Sequence, residues 1–180
     1  SDSENILQIA KNLNINVIKR PWELATDTSH TPDVIKHALN FYKEHNMDLI
    51  LLLQPTSPLR TCSDIDDAIV LACKKEYDSL VSVCEALENP NYINVLPSDF
   101  SMKSFLKHGN IKTNRQEYPT YYQLNGAIYL AKITYFMKNG GYFGDRTHAY
   151  VMPQARSIDI DTLLDFKIAE FLIKDRHEME

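Results

Sequence analysis

Apolar and polar positions follow two rhythms along this chain, one helical and one extended. Ile6, Leu7, Ala10 and Leu13 recur at helical spacing, with Ser1 and Glu4 ahead of them in a capping-box pattern. The short apolar run at residues 15–18 predicts a strand, and Arg20-Pro21-Trp22-Glu23-Leu24 interrupts it as a loop. Thr31 then stands as the cap of a helix with Pro32 at its first position, where proline is favoured. Val34, Ile35, Ala38, Leu39 and Tyr42 form the apolar face of that helix. Residues 49–53 are continuously apolar over the length of one strand, as in a sheet covered on both faces. A helix over residues 63–74 follows, with Ile65, Ala68, Ile69 and Ala72 inward, and then a strand over residues 79–83.

Both rhythms fade over residues 87–123, which are polar and aromatic. Short candidates at residues 92–95 and 104–106 predict a hairpin-rich excursion from the main sheet. Regular pattern returns with a strand at residues 127–130, a short helix at 133–137, a strand at 149–152 and a helix at 165–174. Alternating strands and helices with right-handed crossovers predict a three-layer α/β sandwich with a mostly parallel sheet. The 180 residues suffice for one domain, 1–180, with a sizeable core. Ligands in such sheets lie beyond the carboxyl ends of the strands. Residues 54–60 and 159–161 both fall at such ends, which predicts that they share one cleft.

Charge narrows the function classes. Nineteen basic against 24 acidic residues give a net charge of −5, which excludes a nucleic-acid binder that relies on a basic surface. A nucleotide site needs only a few local positive groups. No apolar run approaches the ~20 residues of a membrane span, and the first residues carry no secretory pattern. Cys62, Cys73 and Cys84 are an odd number without metal-ligand spacing, so they read as small apolar fillers in a reducing cytoplasm.

Two segments carry candidate chemistry. Ser157-Ile158-Asp159-Ile160-Asp161-Thr162 reads as a short strand entering a helix. On a strand, Asp159 and Asp161 share a face while Ile158 and Ile160 pack inward. Paired carboxylates suit Mg²⁺, which takes one or two of them together with waters and substrate phosphates. The other reading leaves Asp159 solvated and uses Asp161 or Thr162 as a helix cap. In Gln54-Pro55-Thr56-Ser57-Pro58-Leu59-Arg60, two prolines fix a loop that presents Gln54, Thr56, Ser57 and Arg60 in defined directions. These groups match a ligand bearing carbonyls, hydroxyls and an anion, or else the loop is an ordinary rigid turn. Asn125-Gly126 before a strand looks like a tight turn. Arg115 is either a bidentate partner for a carboxylate or a solvated charge.

Taken in order, five segments resemble the acylneuraminate cytidylyltransferases, which activate nine-carbon 2-keto sugar acids as CMP derivatives. They are Arg20-Pro21 with Leu24-Ala25-Thr26-Asp27-Thr28, Leu51 through Arg60, Arg115-Gln116 with Pro119, Asn125-Gly126-Ala127-Ile128-Tyr129, and Ser157 through Thr162. The resemblance covers essentially the whole chain and implies a fold like that of the nucleotide-diphosphosugar transferases. It also implies attack of the sugar's anomeric hydroxyl on the α-phosphate of CTP, with loss of pyrophosphate. Asp159 and Asp161 would hold Mg²⁺ (or Mn²⁺), and Gln54 would lie near the sugar. Arg20 and Thr31 would lie near the cytidine, with Ser57 and Arg60 among the substrate-binding residues. Asn125, Tyr129, Tyr142 and Phe143 would line the sugar pocket, and Arg115 would meet the sugar carboxylate. In the family, the segment equivalent to residues 87–123 exchanges between two subunits, which implies a homodimer.

The chain departs from the family pattern in three places. Family members open with a strand and a Gly-rich basic loop around the CTP phosphates, and this stretch has no counterpart. That implies a natural protein beginning about fifty residues earlier, and no turnover by these residues alone. Tyr92 stands where the sialic-acid enzymes carry a lysine, and Gln123 where they carry an arginine. Fewer cations around the sugar point towards an acid such as legionaminate or pseudaminate. Two other readings compete: a non-catalytic relative that dimerises or binds a sugar acid, and a nucleotide-sugar glycosyltransferase with an Asp-x-Asp metal site.

Overall fold

The best-capped helix grows from the strongest local signals. In the computed structural model, which describes residues 1–106 and 118–179, helix α3 spans Cys62–Lys74 with Thr61 as its N-cap. The Thr61 hydroxyl accepts the Asp64 N–H at 3.2 Å, and the Asp64 carboxylate accepts the Thr61 N–H at 2.8 Å. This reciprocal box satisfies donors that a helix start otherwise leaves orphaned.

The chain divides into two compact units, Ser1–Asp48 and Leu49–Glu180. The first holds helices α1 (Glu4–Asn12) and α2 (Thr31–Phe41). Both predicted caps shift. Ser3, not Ser1, is the N-cap of α1, and the Ser1 hydroxyl instead accepts the Ser3 N–H at 3.2 Å. His30 is the N-cap of α2, and Thr31 becomes its first residue beside Pro32. Residues 15–18 form no strand. A strand needs a ladder, and the bonds beside this stretch run to Ser1: its ammonium donates to Ile18 O at 3.1 Å, and the Arg20 N–H donates to Ser1 O at 2.9 Å.

The second unit is built on strands β1 (Leu49–Leu52), β2 (Ser79–Glu85), β3 (Tyr122–Lys132) and β4 (Thr147–Val151), in the order β1-β3-β2-β4. β3 pairs antiparallel with both neighbours, Leu52 opposite Tyr129 on one side and Leu80 opposite Leu130 on the other. Among the described residues, only β2 and β4 form a parallel ladder. The expectation of a mostly parallel sheet therefore holds in part: β1, β2 and β4 run the same way, and β3 is inserted between them in reverse. Helix α4 (Ile133–Asn139) follows β3, and α5 (Leu163–Met179) closes the described chain.

Period-two alternation sends β2 and β3 side chains to two covered faces. Leu80, Ile128 and Leu130 pack with Ala68 and Ala72 of α3, whose small side chains let the helix approach the sheet closely. On the opposite face, Phe136 of α4 meets Tyr142 edge-on at 5.0 Å, and Tyr142 lies 5.4 Å from the Tyr129 ring. The sandwich follows from these two buried faces.

Between β2 and β3 the described residues form a short 3-10 turn, Pro90–Tyr92, and no strands. The predicted strands at 92–95 and 104–106 are absent. The Asn94 side-chain amide instead donates to Ser104 O and Phe105 O at 3.3 and 2.9 Å, which occupies carbonyls that a ladder would use. Arg115, and with it part of the 87–123 excursion, lies outside the described residues.

Candidate functional site

The 54–60 loop leaves the carboxyl end of β1 and is tied to itself. The Arg60 guanidinium donates through Nη1 to Gln54 O at 2.7 Å and Ser57 O at 2.6 Å. Leu59 of this loop is fully buried. Arg60 therefore shapes the loop directly, and that Nη1 is engaged by main-chain oxygens. Ser57 is also fully buried, and its single hydroxyl proton faces two acceptors, Asn125 O at 3.1 Å and Asp159 Oδ1 at 3.4 Å.

Asn125-Gly126 is not the tight turn its sequence suggests. Both residues lie inside β3, at a bulge. Val81 faces Tyr129 and Val83 faces Leu124, so Ser82 alone stands opposite residues 125–128. Gly126 has φ +69°, a conformation glycine adopts without strain. The Asn125 side chain points into the bulge rather than outward. Its Oδ1 accepts the Ser82 hydroxyl at 2.6 Å, and its Nδ2 donates to Ser157 Oγ at 2.8 Å.

The bulge brings three segments to one point. A Cβ placed on Gly126 would lie 2.9 Å from each of Asp159 Oδ2, Gln54 Oε1 and Ser57 Oγ. The missing side chain thus opens a cup walled by three side-chain oxygens, one from the strand-end loop residue Gln54, one from Ser57 and one from Asp159. The Ile160 N–H donates to Thr56 O at 2.8 Å, which joins the two loops beside the cup.

Residues 157–160 are not a strand, so the shared-face argument for Asp159 and Asp161 does not apply. Their main-chain bonds go elsewhere: Ser157 N–H to Gln154 O at 2.9 Å, and Ile160 N–H to Thr56 O. Asp161 sits just ahead of α5. The cap of that helix is made by Thr162 and Asp165: the Asp165 carboxylate accepts the Thr162 N–H at 2.8 Å and its hydroxyl at 2.7 Å. These bonds hold the Asp165 carboxyl below its ordinary value. Capping thus falls to Thr162, and no hydrogen bond or ion pair among the described residues engages the Asp161 carboxylate. Asp159 likewise makes no ion pair there. The Asp159 carboxylate with the Gln54 amide and Ser57 hydroxyl oxygens is a hard, all-oxygen set of the kind that suits Mg²⁺ or Mn²⁺. No group of three or more His, Cys, Asp or Glu side chains able to hold a metal occurs among the described residues.

Tyr129 borders the cup. Burial, then the Asp159 charge, raises its hydroxyl above the ordinary tyrosine value, so it is a neutral donor. Tyr142 is buried and its hydroxyl has no hydrogen-bond partner among the described residues. Burial, then Tyr129, raises that hydroxyl further. Phe143 is exposed. Arg20 and Thr31 belong to the first unit, where Arg20 Nη2 pairs with Asp2 and Thr31 is exposed at the start of α2.

Sequence reasoning missed Ser82, which carries no motif of its own, the bond from Asn125 to the Ser157 hydroxyl, and the pairing of Arg156 with Asp64. Arg156 donates to the Asp64 carboxylate through Nε at 2.9 Å and Nη2 at 2.7 Å. The Thr61–Asp64 cap also went unread, although its spacing is a capping-box pattern, and nothing nearby announces its arginine. An open cleft of ≈ 340 Å³, which includes Asp78, Tyr135 and Arg146, lies at the opposite end of the sheet and is not this site.

No protein-family model matches the chain. Over 98% of its length it is 34% identical to "Post-translational flagellin modification protein B" of Campylobacter coli and spans 76% of that protein. It is 33% identical to the CMP-N,N'-diacetyllegionaminic acid synthase of Campylobacter jejuni, with 96% of this chain and 74% of that protein aligned. It is 35% identical to the N-acylneuraminate cytidylyltransferase of Escherichia coli O18:K1:H7 over 94% of this chain, but spans only 40% of that enzyme.

Proposed function

Because the chain belongs to the acylneuraminate cytidylyltransferase family, we propose that it acts in the transfer of a cytidylyl group from CTP to a nonulosonic sugar acid. The anomeric hydroxyl forms a bond to the α-phosphorus, and the bond to pyrophosphate breaks. The observation that carries this reading is the Gly126 cup, where Asp159, Gln54 and Ser57 converge from separate segments. Relatives that make CMP-legionaminic acid favour a sugar acid of that class, in agreement with Tyr92 and Gln123 at positions where sialic-acid enzymes resemble each other in carrying cations.

Asp159 and Asp161 would hold Mg²⁺ or Mn²⁺. Bound there, the ion would offset phosphate charge and acidify the sugar hydroxyl. Gln54 orients the sugar through its amide, and the neutral Tyr129 hydroxyl donates to it. Tyr142 and Phe143 form the apolar wall, and Asn125 keeps the bulge in shape from within. Positioning of this kind supplies much of the rate in phosphoryl transfer. Arg20 and Thr31 serve the cytidine end, and Arg115 meets the sugar carboxylate, in a homodimer. The reaction belongs in the cytoplasm with its CTP. No helix among the described residues is long and apolar enough to cross a membrane.

The test is pyrophosphate release from CTP with N-acetylneuraminate, legionaminate and pseudaminate in turn. Turnover with one of the acids, abolished by Asp161→Asn without loss of the folded circular-dichroism spectrum, supports the reading. An Asp161→Asn protein that turns over normally at low Mg²⁺ removes the metal assignment. Release of pyrophosphate with none of the acids, by an N-terminally extended chain as well as by these 180 residues, removes the reaction itself.

A further inference from the structure

We propose that Asp64 and Arg156 are a positioning pair that sets how tightly Asp159 and Asp161 hold a divalent cation. The inference rests on the reading of those carboxylates given above. Asp64 is 1% exposed, in the first turn of α3. A capping box needs one carboxylate oxygen, and Asp64 uses Oδ2, which accepts both the Thr61 N–H and the Thr61 hydroxyl at 2.8 Å. Among the described residues its Oδ1 serves Arg156 Nη2 alone, at 2.7 Å, while Arg156 Nε reaches Oδ2 at 2.9 Å. Capping therefore accounts for half of this carboxylate and leaves the bidentate arginine unexplained.

The arginine's place in the chain supplies the explanation. Arg156 ends the 3-10 turn Gln154–Arg156, three residues before Asp159. Asp64 opens the helix that follows the 54–60 loop directly. The pair thus joins the loop that carries Gln54 and Ser57 to the segment that carries Asp159. Residues 157–160 have no ladder to hold them. They are pinned at their near end by Arg156 and Ser157, and at their far end by the Ile160 N–H on Thr56 O. Asp159 lies between the two pins. Planar, two-bond pairing resists rotation as well as stretching, which a single neutral hydrogen bond does not. Ligand groups must be held within about 0.5 Å to bind productively. Loss of an outer partner that orients a metal ligand typically costs about 10–100-fold in metal affinity.

Mn²⁺ alone, followed by loss of its free-ion electron paramagnetic resonance signal, reads this directly. The comparison uses the wild-type chain, Asp161→Asn, Arg156→Gln and Arg156→Lys, with folding checked by circular dichroism. Arg156 is partly exposed, so its variants threaten the fold less than a change at Asp64. Arg156→Gln should bind Mn²⁺ about 10-fold or more weakly. Arg156→Lys, which keeps the charge but not the two-bond fork, should recover part of the loss. In turnover assays, Arg156→Gln should raise the Mg²⁺ concentration needed for half-maximal rate and leave the rate at saturating Mg²⁺ within a few-fold. An Arg156→Gln chain that melts lower yet binds Mn²⁺ like wild type would overturn the proposal and leave the pair a fold contact only. A wild-type chain that binds no more Mn²⁺ than Asp161→Asn would overturn the carboxylate reading itself, and this proposal with it.

Discussion

Ser82 and Asn125 face each other where β3 leaves its regular ladder, and the Ser82 hydroxyl donates to the Asn125 side-chain oxygen at 2.6 Å. The same hydroxyl accepts the Ile128 N–H at 2.7 Å. One side chain therefore fills the place of the residues that β2 lacks opposite the bulge. The bulge in turn holds Gly126 against Asp159, Gln54 and Ser57.

Ser82→Ala should destabilise the fold by about 1–3 kcal/mol, the usual cost of leaving buried polar groups without a partner. Ser82 and Asn125 are both essentially inaccessible, so water cannot take the hydroxyl's place without rearrangement. A lower urea midpoint at unchanged slope is the expected result.

Gly126→Ala should impair both folding and function. The new methyl would sit 2.9 Å from three oxygens, and φ +69° strains any residue with a Cβ. Left-handed backbone alone costs about 1–2 kcal/mol. Displacing the cup's oxygens should lower turnover by about 100-fold or more, as loss of a preorganised contact does. Measuring kcat beside urea unfolding separates the two effects. Near-normal kcat would mean that the cup does not hold the reacting groups.

Tyr142→Phe should leave stability unchanged or raise it, since its buried hydroxyl has no partner among the described residues and its removal relieves an unmet donor. The ring contacts to Phe136 and Tyr129 survive the change. A clear fall in the unfolding midpoint would show that the hydroxyl is engaged in solution.

The Asp64 contribution should fade in acid. Burial alone would raise its carboxyl, but the hydrogen bonds from Arg156 and Thr61 outweigh burial and hold it below the ordinary value. A depressed folded pKa stabilises the fold above the unfolded value, about 3.9, and that stabilisation is lost as pH falls through the folded value. The stability gap between wild type and Asp64→Asn should therefore be flat from about pH 8 to 5 and shrink below about pH 4. Urea unfolding across this range measures it. A gap that stays constant to pH 3 would contradict the charge-based account.

Local patterns in the sequence already determined much of the second unit. The apolar run ahead of Gln54 became β1, the helical spacing over residues 63–74 became α3, and Gln54, Ser57 and Asp159 were named before they were seen to converge. Those features depend on neighbours within a turn or two, where residue type and spacing dictate structure. Short stretches without a partner were misread for the complementary reason. Residues 15–18 and 157–160 have strand-like composition, yet a strand exists only when another supplies its ladder. Whether one arrives is decided far along the chain.

Only the tertiary structure decided the direction of β3, the bulge at Asn125-Gly126 and the arginine on Asp64. Asn125-Gly126 carries the composition of a turn, and a turn is what short-range rules allow. Ser82, 43 residues away, makes it a bulge by satisfying the main chain and the amide at once. Asp64 and Arg156 are 92 residues apart, and neither side chain announces the other. The pattern of side chains could say which residues carry oxygens suited to a cation and a phosphate. Gathering them around one glycine needed partners that local spacing does not encode.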